Sequence, residues 1–180
     1  FVGTGGTSAQ RKDTVLSLGT LDLEDVPPGA SRLSVTAQRL SRFLRSQLGR
    51  LLDQTGEISL VEWRIYVGLS QHETVKQKDL IAFTEIEQGQ VSRSLARMEE
   101  RRLIKSQQST ADRRVRLYSM TGKGRAQFER ILPSVVAYHE VIDRVLSPEE
   151  QTLFLDMTNR IVEASIIHED ERKDIQRKAG

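Results

Sequence analysis

The spacing of apolar positions divides the chain into helical stretches around one short alternating stretch. Between Ala30 and Asp53, apolar side chains recur at Leu33, Ala37, Leu40, Leu44, Leu48 and Leu51. Steps of three and four put them on one face of a helix of about six turns. Arg32, Arg39, Arg42, Arg45 and Arg50 fill other positions, and so long a stripe with few sequence neighbours to cover it implies packing against another subunit. Ser59 with Glu62 three residues on has the spacing of a capping box, and Leu60, Trp63, Tyr66, Val67 and Leu69 give a second helix ending near Gln71-His72. A short third helix over Lys76–Phe83 has Leu80 and Ile81 as its buried points. After a turn at Thr84-Glu85-Ile86, a fourth helix runs over Glu87–Arg102. Its Val91, Leu95 and Met98 point inward, while Gln88, Gln90, Ser92, Arg93, Ser94 and Arg97 line the outward face.

The period then shortens. Leu103–Ser109 and Val115–Met120 read as strands joined through Thr110-Ala111-Asp112-Arg113-Arg114, with polar residues alternating with Val115, Leu117 and, less regularly, Tyr118 and Met120. Thr121-Gly122-Lys123-Gly124 breaks the second strand. Helix returns over Arg125–Leu146, carrying Phe128, Ile131, Leu132, Val135, Tyr138, Ile142 and Val145. Ser147-Pro148-Glu149-Glu150 is a second capping box with proline at the first helical position. The last helix sets Leu153, Phe154, Met157, Ile161 and Ala164 on one face and gives way to a charged tail from His168. Ahead of Ala30 the glycines Gly3, Gly5 and Gly6 and the stop at Val26-Pro27-Pro28-Gly29 read as an arm or linker. The expected fold class is mainly α with a small β-hairpin wing: a winged helix-turn-helix flanked by helical arms. Its segments are an arm over 1–29, an N-terminal helix over 30–56, the winged domain over 57–124, C-terminal helices over 125–170 and a tail over 171–180.

Charge sharpens this picture. The 180-residue chain has a net charge of +2, but residues 76–125 hold twelve Lys and Arg against six Asp and Glu, leaving −4 for the remainder. A basic centre between acidic arms is the distribution of a polyanion-binding module carried on a non-binding scaffold. Aromatic residues make up only 5%, which disfavours stacking on single-stranded bases. With no cysteine, thiolate nucleophiles, thiolate zinc sites and disulfides are excluded. No apolar run exceeds four residues, far short of the ~20 that cross a bilayer, so a soluble cytoplasmic protein without membrane partners is expected. His72, His139 and His168 are scattered, and no metal-binding pair, phosphate loop or nucleophile motif accompanies them, so no enzyme activity, cofactor or metal is expected. Glu99-Glu100 and Glu149-Glu150 read as helix-face or capping acids.

From Leu80 to Arg125, and more loosely from Ser31 to Ile167, the chain resembles the MarR family of bacterial transcription regulators. The resemblance rests on Val91-Ser92-Arg93, on Met98-Glu99-Glu100-Arg101-Arg102-Leu103-Ile104, and on Asp112-Arg113-Arg114 followed by Leu117-Tyr118-Ser119-Met120-Thr121-Gly122-Lys123-Gly124, with Trp63 at a frequent family position. Arg102 and Glu85 stand where the family has glycine, and Glu87 where it has a Ser or Asp cap. A side chain at a left-handed helix end costs of order 1 kcal/mol, which neighbouring packing can absorb.

The resemblance implies a homodimer, with 30–56 as the N-terminal and 125–170 as the C-terminal dimerisation helices, reading duplex DNA at an inverted repeat. Gln88, Gln90, Ser92, Arg93 and Arg97 would face the major groove, where arginine pairs with guanine and glutamine with adenine. Arg113 or Arg114, the latter favoured, would enter the minor groove, with Asp112 orienting the turn. Lys76, Lys105, Arg116 and Lys123 would neutralise phosphates. A small effector, such as an aromatic or phenolic carboxylate, would release a repressor through a cavity near Arg42, Arg45, Trp63 and Tyr66. The rival readings are a winged-helix protein-interaction module and a DNA-bound scaffold without ligand.

Overall fold

A computed structural model of the chain describes Val26, residues 29–56 and residues 58–179, with side chains as far as Ile167. The arm expected over 1–29 lies outside these residues apart from Val26 and Gly29. The elements are α1 (Arg32–Gly56), α2 (Leu60–Ser70), β1 (Val75–Lys76), α3 (Gln77–Thr84), α4 (Gln88–Glu100), β2 (Ile104–Gln108), β3 (Arg116–Met120), α5 (Gly122–Asp143) and α6 (Pro148–Ala179). The chain divides within α5 into a unit ending at Val135 and a unit beginning at Val136.

In the first unit the helix ends are set by side chains. The Ser59 hydroxyl accepts from the Glu62 amide at 3.2 Å and the Glu62 carboxylate accepts from the Ser59 amide at 2.8 Å, the reciprocal pair that starts α2. α3 ends on Glu85 at φ +52°, and Arg64 of α2 donates to the otherwise orphaned Thr84 carbonyl at 2.7 Å. α4 closes in a Schellman turn: the Leu103 amide reaches the Met98 carbonyl at 2.9 Å and the Arg102 amide the Glu99 carbonyl at 2.8 Å. Arg102 takes the left-handed position at φ +57°, so the glycine substitutions noted in the sequence leave the turns standing.

The hairpin becomes a three-stranded antiparallel sheet in the order β1-β3-β2. Ile104 pairs with Met120 and Gln108 with Arg116, while Val75 faces Tyr118. β1 is an addition to the expected hairpin: two residues carry no readable alternation, and pairing with β3 alone defines it. Tyr118, expected as an irregular member of its strand, is the residue that enters the core; Leu117 is only half-buried.

α5 begins three residues earlier than the glycine pattern predicts. Thr121 caps it, its hydroxyl accepting from the Gly124 amide at 3.0 Å. Gly124 serves approach rather than breakage, since a Cβ there would overlap the Leu103 carbonyl oxygen. The core of this unit gathers Leu52, Trp63, Ile65, Tyr66, Leu69, Leu80, Val91, Leu95, Met98, Tyr118, Phe128 and Ile131. Within α1 only Leu52 and Gly56 are buried, and Leu33 at its start is exposed.

In the second unit the capping box at Ser147 forms as expected, with Glu150 accepting from the Ser147 amide at 2.7 Å. Gln151 donates to the Asp143 carbonyl at 2.7 Å and so caps the end of α5. α6 runs to Ala179, where a tail is expected from His168; Glu, Arg, Lys, Gln and Ala are good helix formers and no glycine or proline intervenes before Gly180. Leu153, Phe154, Leu155, Met157, Ile161, Val162, Ile166 and Ile167 are all exposed in the single chain. Among the described residues no helix is long and apolar enough to cross a membrane.

Candidate nucleic-acid interface

α3, the turn at Glu85-Ile86-Glu87 and α4 form a helix-turn-helix, and the N-terminus of α4 is its exposed edge. Glu87 caps α4, its carboxylate accepting from the amides of Gly89 at 2.9 Å and Gln90 at 3.1 Å. The cap satisfies two orphan donors and sets a negative charge on the positive pole of the helix. Gln88, Gln90, Arg93 and Arg97 are exposed and Ser92 is half-buried. Ser94, expected on this outward face, is instead fully buried. It lies three residues after Val91 and four before Met98, which places it on their stripe, and the Arg97 guanidinium folds back to its hydroxyl at 3.1 Å.

The wing tip is a turn organised by Asp112. Its carboxylate accepts from the Arg114 amide at 2.9 Å and its carbonyl from the Val115 amide at 2.9 Å. Asp112 thereby orients the turn, as expected, and Arg113 and Arg114 stand exposed. Between wing and helix-turn-helix lies a groove of about 370 Å³ lined by Lys76, Gln77, Lys78, Ile81, Gln88, Arg114, Val115 and Arg116. One concave surface thus joins the start of α4, the start of α3 and the wing arm, with four cations and no carboxylate among its lining residues. Such a surface matches the alternation of phosphate and base edge along duplex DNA.

Residues 61–124 match the winged helix DNA-binding domain family. Among solved structures, the DNA complex of Sco3205, a MarR family transcriptional regulator from Streptomyces coelicolor, aligns with a TM-score of 0.66 at 20% identity, covering 78% of this chain and 92% of that one. The chain has the winged-helix fold of the MarR family. The Bordetella bronchiseptica regulator BpsR, whose DNA binding is regulated by 6-hydroxynicotinic acid, aligns with a TM-score of 0.58 at 21% identity over 70% of this chain and 98% of that one. The transcriptional repressor MdtR of Bacillus subtilis is 23% identical over 150 residues, 83% of this chain and 95% of the relative.

On this MarR fold, the site residues expected from sequence separate into groups. Lys76, Gln88, Arg114 and Arg116 meet in the groove; Gln90, Ser92 and Arg93 continue along α4. Lys105 stands on β2 opposite Ser119, outside the groove lining. Lys123 donates to the Arg101 carbonyl at 2.9 Å, so its ammonium serves the end of α4. Gln77 and Lys78 line the groove without having been singled out in the sequence; only their place at the start of α3, beside Lys76, signals them.

Of the four residues expected at an effector cavity, Trp63 and Tyr66 are core residues. Trp63 stacks on Phe128 with centroids 5.2 Å apart, and Tyr66 donates to Gln127 at 2.9 Å. Gln127 in turn donates to the Gly56 carbonyl at 2.8 Å. Burial pushes the Tyr66 phenol up to about 12; the Arg101 guanidinium opposes this and Glu62 adds to it. Arg42 and Arg45 are exposed on α1. A second groove, of about 430 Å³, lies beside Gln127 and is lined by Arg101, Leu103, Lys123, Ala126 and Arg130. Arg101 there also pairs with the buried Glu62 at 3.5 Å.

Proposed function

We propose that this chain is a homodimeric, sequence-specific duplex-DNA-binding transcription regulator, acting as a repressor released by a small carboxylate effector. The observation that carries the reading is the groove joining Gln88 at the start of the recognition helix to Arg114 and Arg116 of the wing and to Lys76 and Lys78. Gln88, Gln90, Ser92, Arg93 and Arg97 read major-groove edges, Arg113 and Arg114 meet the minor groove from the wing, and Lys76, Lys105 and Arg116 answer phosphates, while Lys123, bonded to the end of α4, is withdrawn from that set. Dimerisation rests on the apolar residues that α6 leaves exposed, Leu153, Phe154, Met157 and Ile161 among them, and on Leu33 at the start of α1. Two recognition helices related by a two-fold axis favour half-sites about one DNA turn, ~34 Å, apart.

Effector control draws on the regulator governed by 6-hydroxynicotinic acid and on the cationic second groove, where Arg101, Lys123 and Arg130 suit a carboxylate. Arg42 and Arg45, exposed on α1, are the companion candidates; Trp63 and Tyr66 are taken up by the core. Selection from a random duplex pool, read by sequencing, tests the reading. An enriched inverted repeat, released when an aromatic carboxylate such as 6-hydroxynicotinic acid is added, supports it. Enrichment of a non-symmetric site removes the dimer, and no enrichment removes sequence reading and leaves a protein-interaction module.

A further inference from the structure

Three polar side chains from three elements form a chain of hydrogen bonds behind the DNA-facing surface. The Tyr118 hydroxyl of β3 donates to the Gln77 side-chain oxygen at 3.4 Å, and the Gln77 amide nitrogen donates to the Ser92 hydroxyl oxygen at 3.0 Å. Tyr118 is buried in the core and anchors the inner end of the row. Gln77 is half-buried at the first position of α3, and Ser92 is half-buried on α4.

The direction of these bonds has a chemical result. A serine hydroxyl is one donor and two acceptors, and it ordinarily turns to suit whatever faces it. Here the Tyr118 hydroxyl, in a long bond of 3.4 Å, favours the Gln77 oxygen as its acceptor, and the amide nitrogen meets Ser92 in the shorter one. One Ser92 acceptor position is therefore occupied, and its hydrogen has no use on the Gln77 side. Bonds in such a row polarise one another, which favours donation at the far end.

We infer that Gln77, oriented by Tyr118, is a specificity-positioning residue that biases the Ser92 hydroxyl towards donating to a base in the major groove. The inference rests on the duplex-DNA reading of the recognition helix. In that orientation the hydroxyl donates to guanine O6 or N7, adenine N7 or thymine O4, and meets no acceptor at the cytosine N4 amino group. The base opposite Ser92 is thus biased against cytosine through the hydrogen bond that Gln77 makes to Ser92.

The test compares position-by-position base preferences from random-duplex selection for the full chain and for Ser92→Ala, Gln77→Glu, Gln77→Met and Tyr118→Phe, with thermal unfolding of each. Ser92→Ala and Gln77→Met are expected to flatten one and the same base position, each by roughly two- to tenfold, while other positions keep their preferences. Gln77→Glu removes the only donor on that side and turns the Ser92 hydrogen inward, so cytosine regains favour at that position. Tyr118→Phe, which keeps the ring in the core, flattens it partially. Uniform weakening at every position, or flattening at different positions in the Ser92 and Gln77 variants, overturns the inference even if DNA binding stands. If the unsubstituted chain enriches no sequence, the DNA reading falls first and the relay falls with it. Should Gln77→Met unfold, Tyr118→Phe and Ser92→Ala carry the same comparison.

Discussion

Arg102 holds φ at +57°, where an L side chain crowds the following carbonyl, so the Schellman turn that ends α4 carries local strain. Replacing it with glycine relieves that strain: Arg102→Gly is expected to raise stability by about 1 kcal/mol in urea unfolding, less the entropy glycine gains in the unfolded chain. Gly124 is the opposite case. Gly124→Ala sets a methyl onto the Leu103 carbonyl oxygen and is expected to cost about 1 to 3 kcal/mol by the same measurement, because backbone must move to admit it. Tyr66 adds a pH dependence. Its folded pKa of about 12 lies above the ordinary value of 10, so the neutral phenol's contribution is complete below pH 10 and is lost as pH rises from 10 to 12. Tyr66→Phe should flatten the stability profile across that window, after an initial loss of about 1 kcal/mol from the bond to Gln127.

Whole helices were legible in the sequence wherever an apolar stripe repeated, as with Val91, Leu95 and Met98 on α4, and wherever a cap had a side-chain signature, as at Ser59 and Ser147. What escaped lies in contacts between elements. β1 exists only through Val75 and Lys76 pairing with β3; Gly122 and Gly124 read as breakers because nothing nearby in sequence reveals the Leu103 carbonyl against which α5 packs. Ser94 looks outward by composition yet lies on the buried stripe. The Gln77 bridge spans 15 residues to Ser92 and 41 to Tyr118, beyond any local pattern. At the helix-turn-helix itself, Glu87 combines two effects: its carboxylate caps α4 and repels phosphate. Glu87→Ser keeps a good cap and removes the charge, so stability should change little. Duplex affinity in anisotropy titrations should rise roughly two- to fivefold, the worth of one unfavourable charge in water at contact range.

At the scale of the molecule, the net positive charge is concentrated in residues 76–125 of the sequence. Four cations of that segment, Lys76, Lys78, Arg114 and Arg116, line the wing groove, and the longest run of exposed apolar side chains lies on α6, with Val136, Val141 and Val145 exposed on the preceding stretch. The central claim, that the groove surface binds duplex DNA, is met most directly by fluorescence-anisotropy titration of a labelled duplex pool at increasing salt, with Arg93→Ala and Arg114→Ala beside the unsubstituted chain. The account predicts tight binding that falls steeply and log-linearly with salt, weakened in both variants, with a shallower salt slope where a phosphate contact is lost. Salt-insensitive binding, or affinity unchanged in both variants, would contradict it.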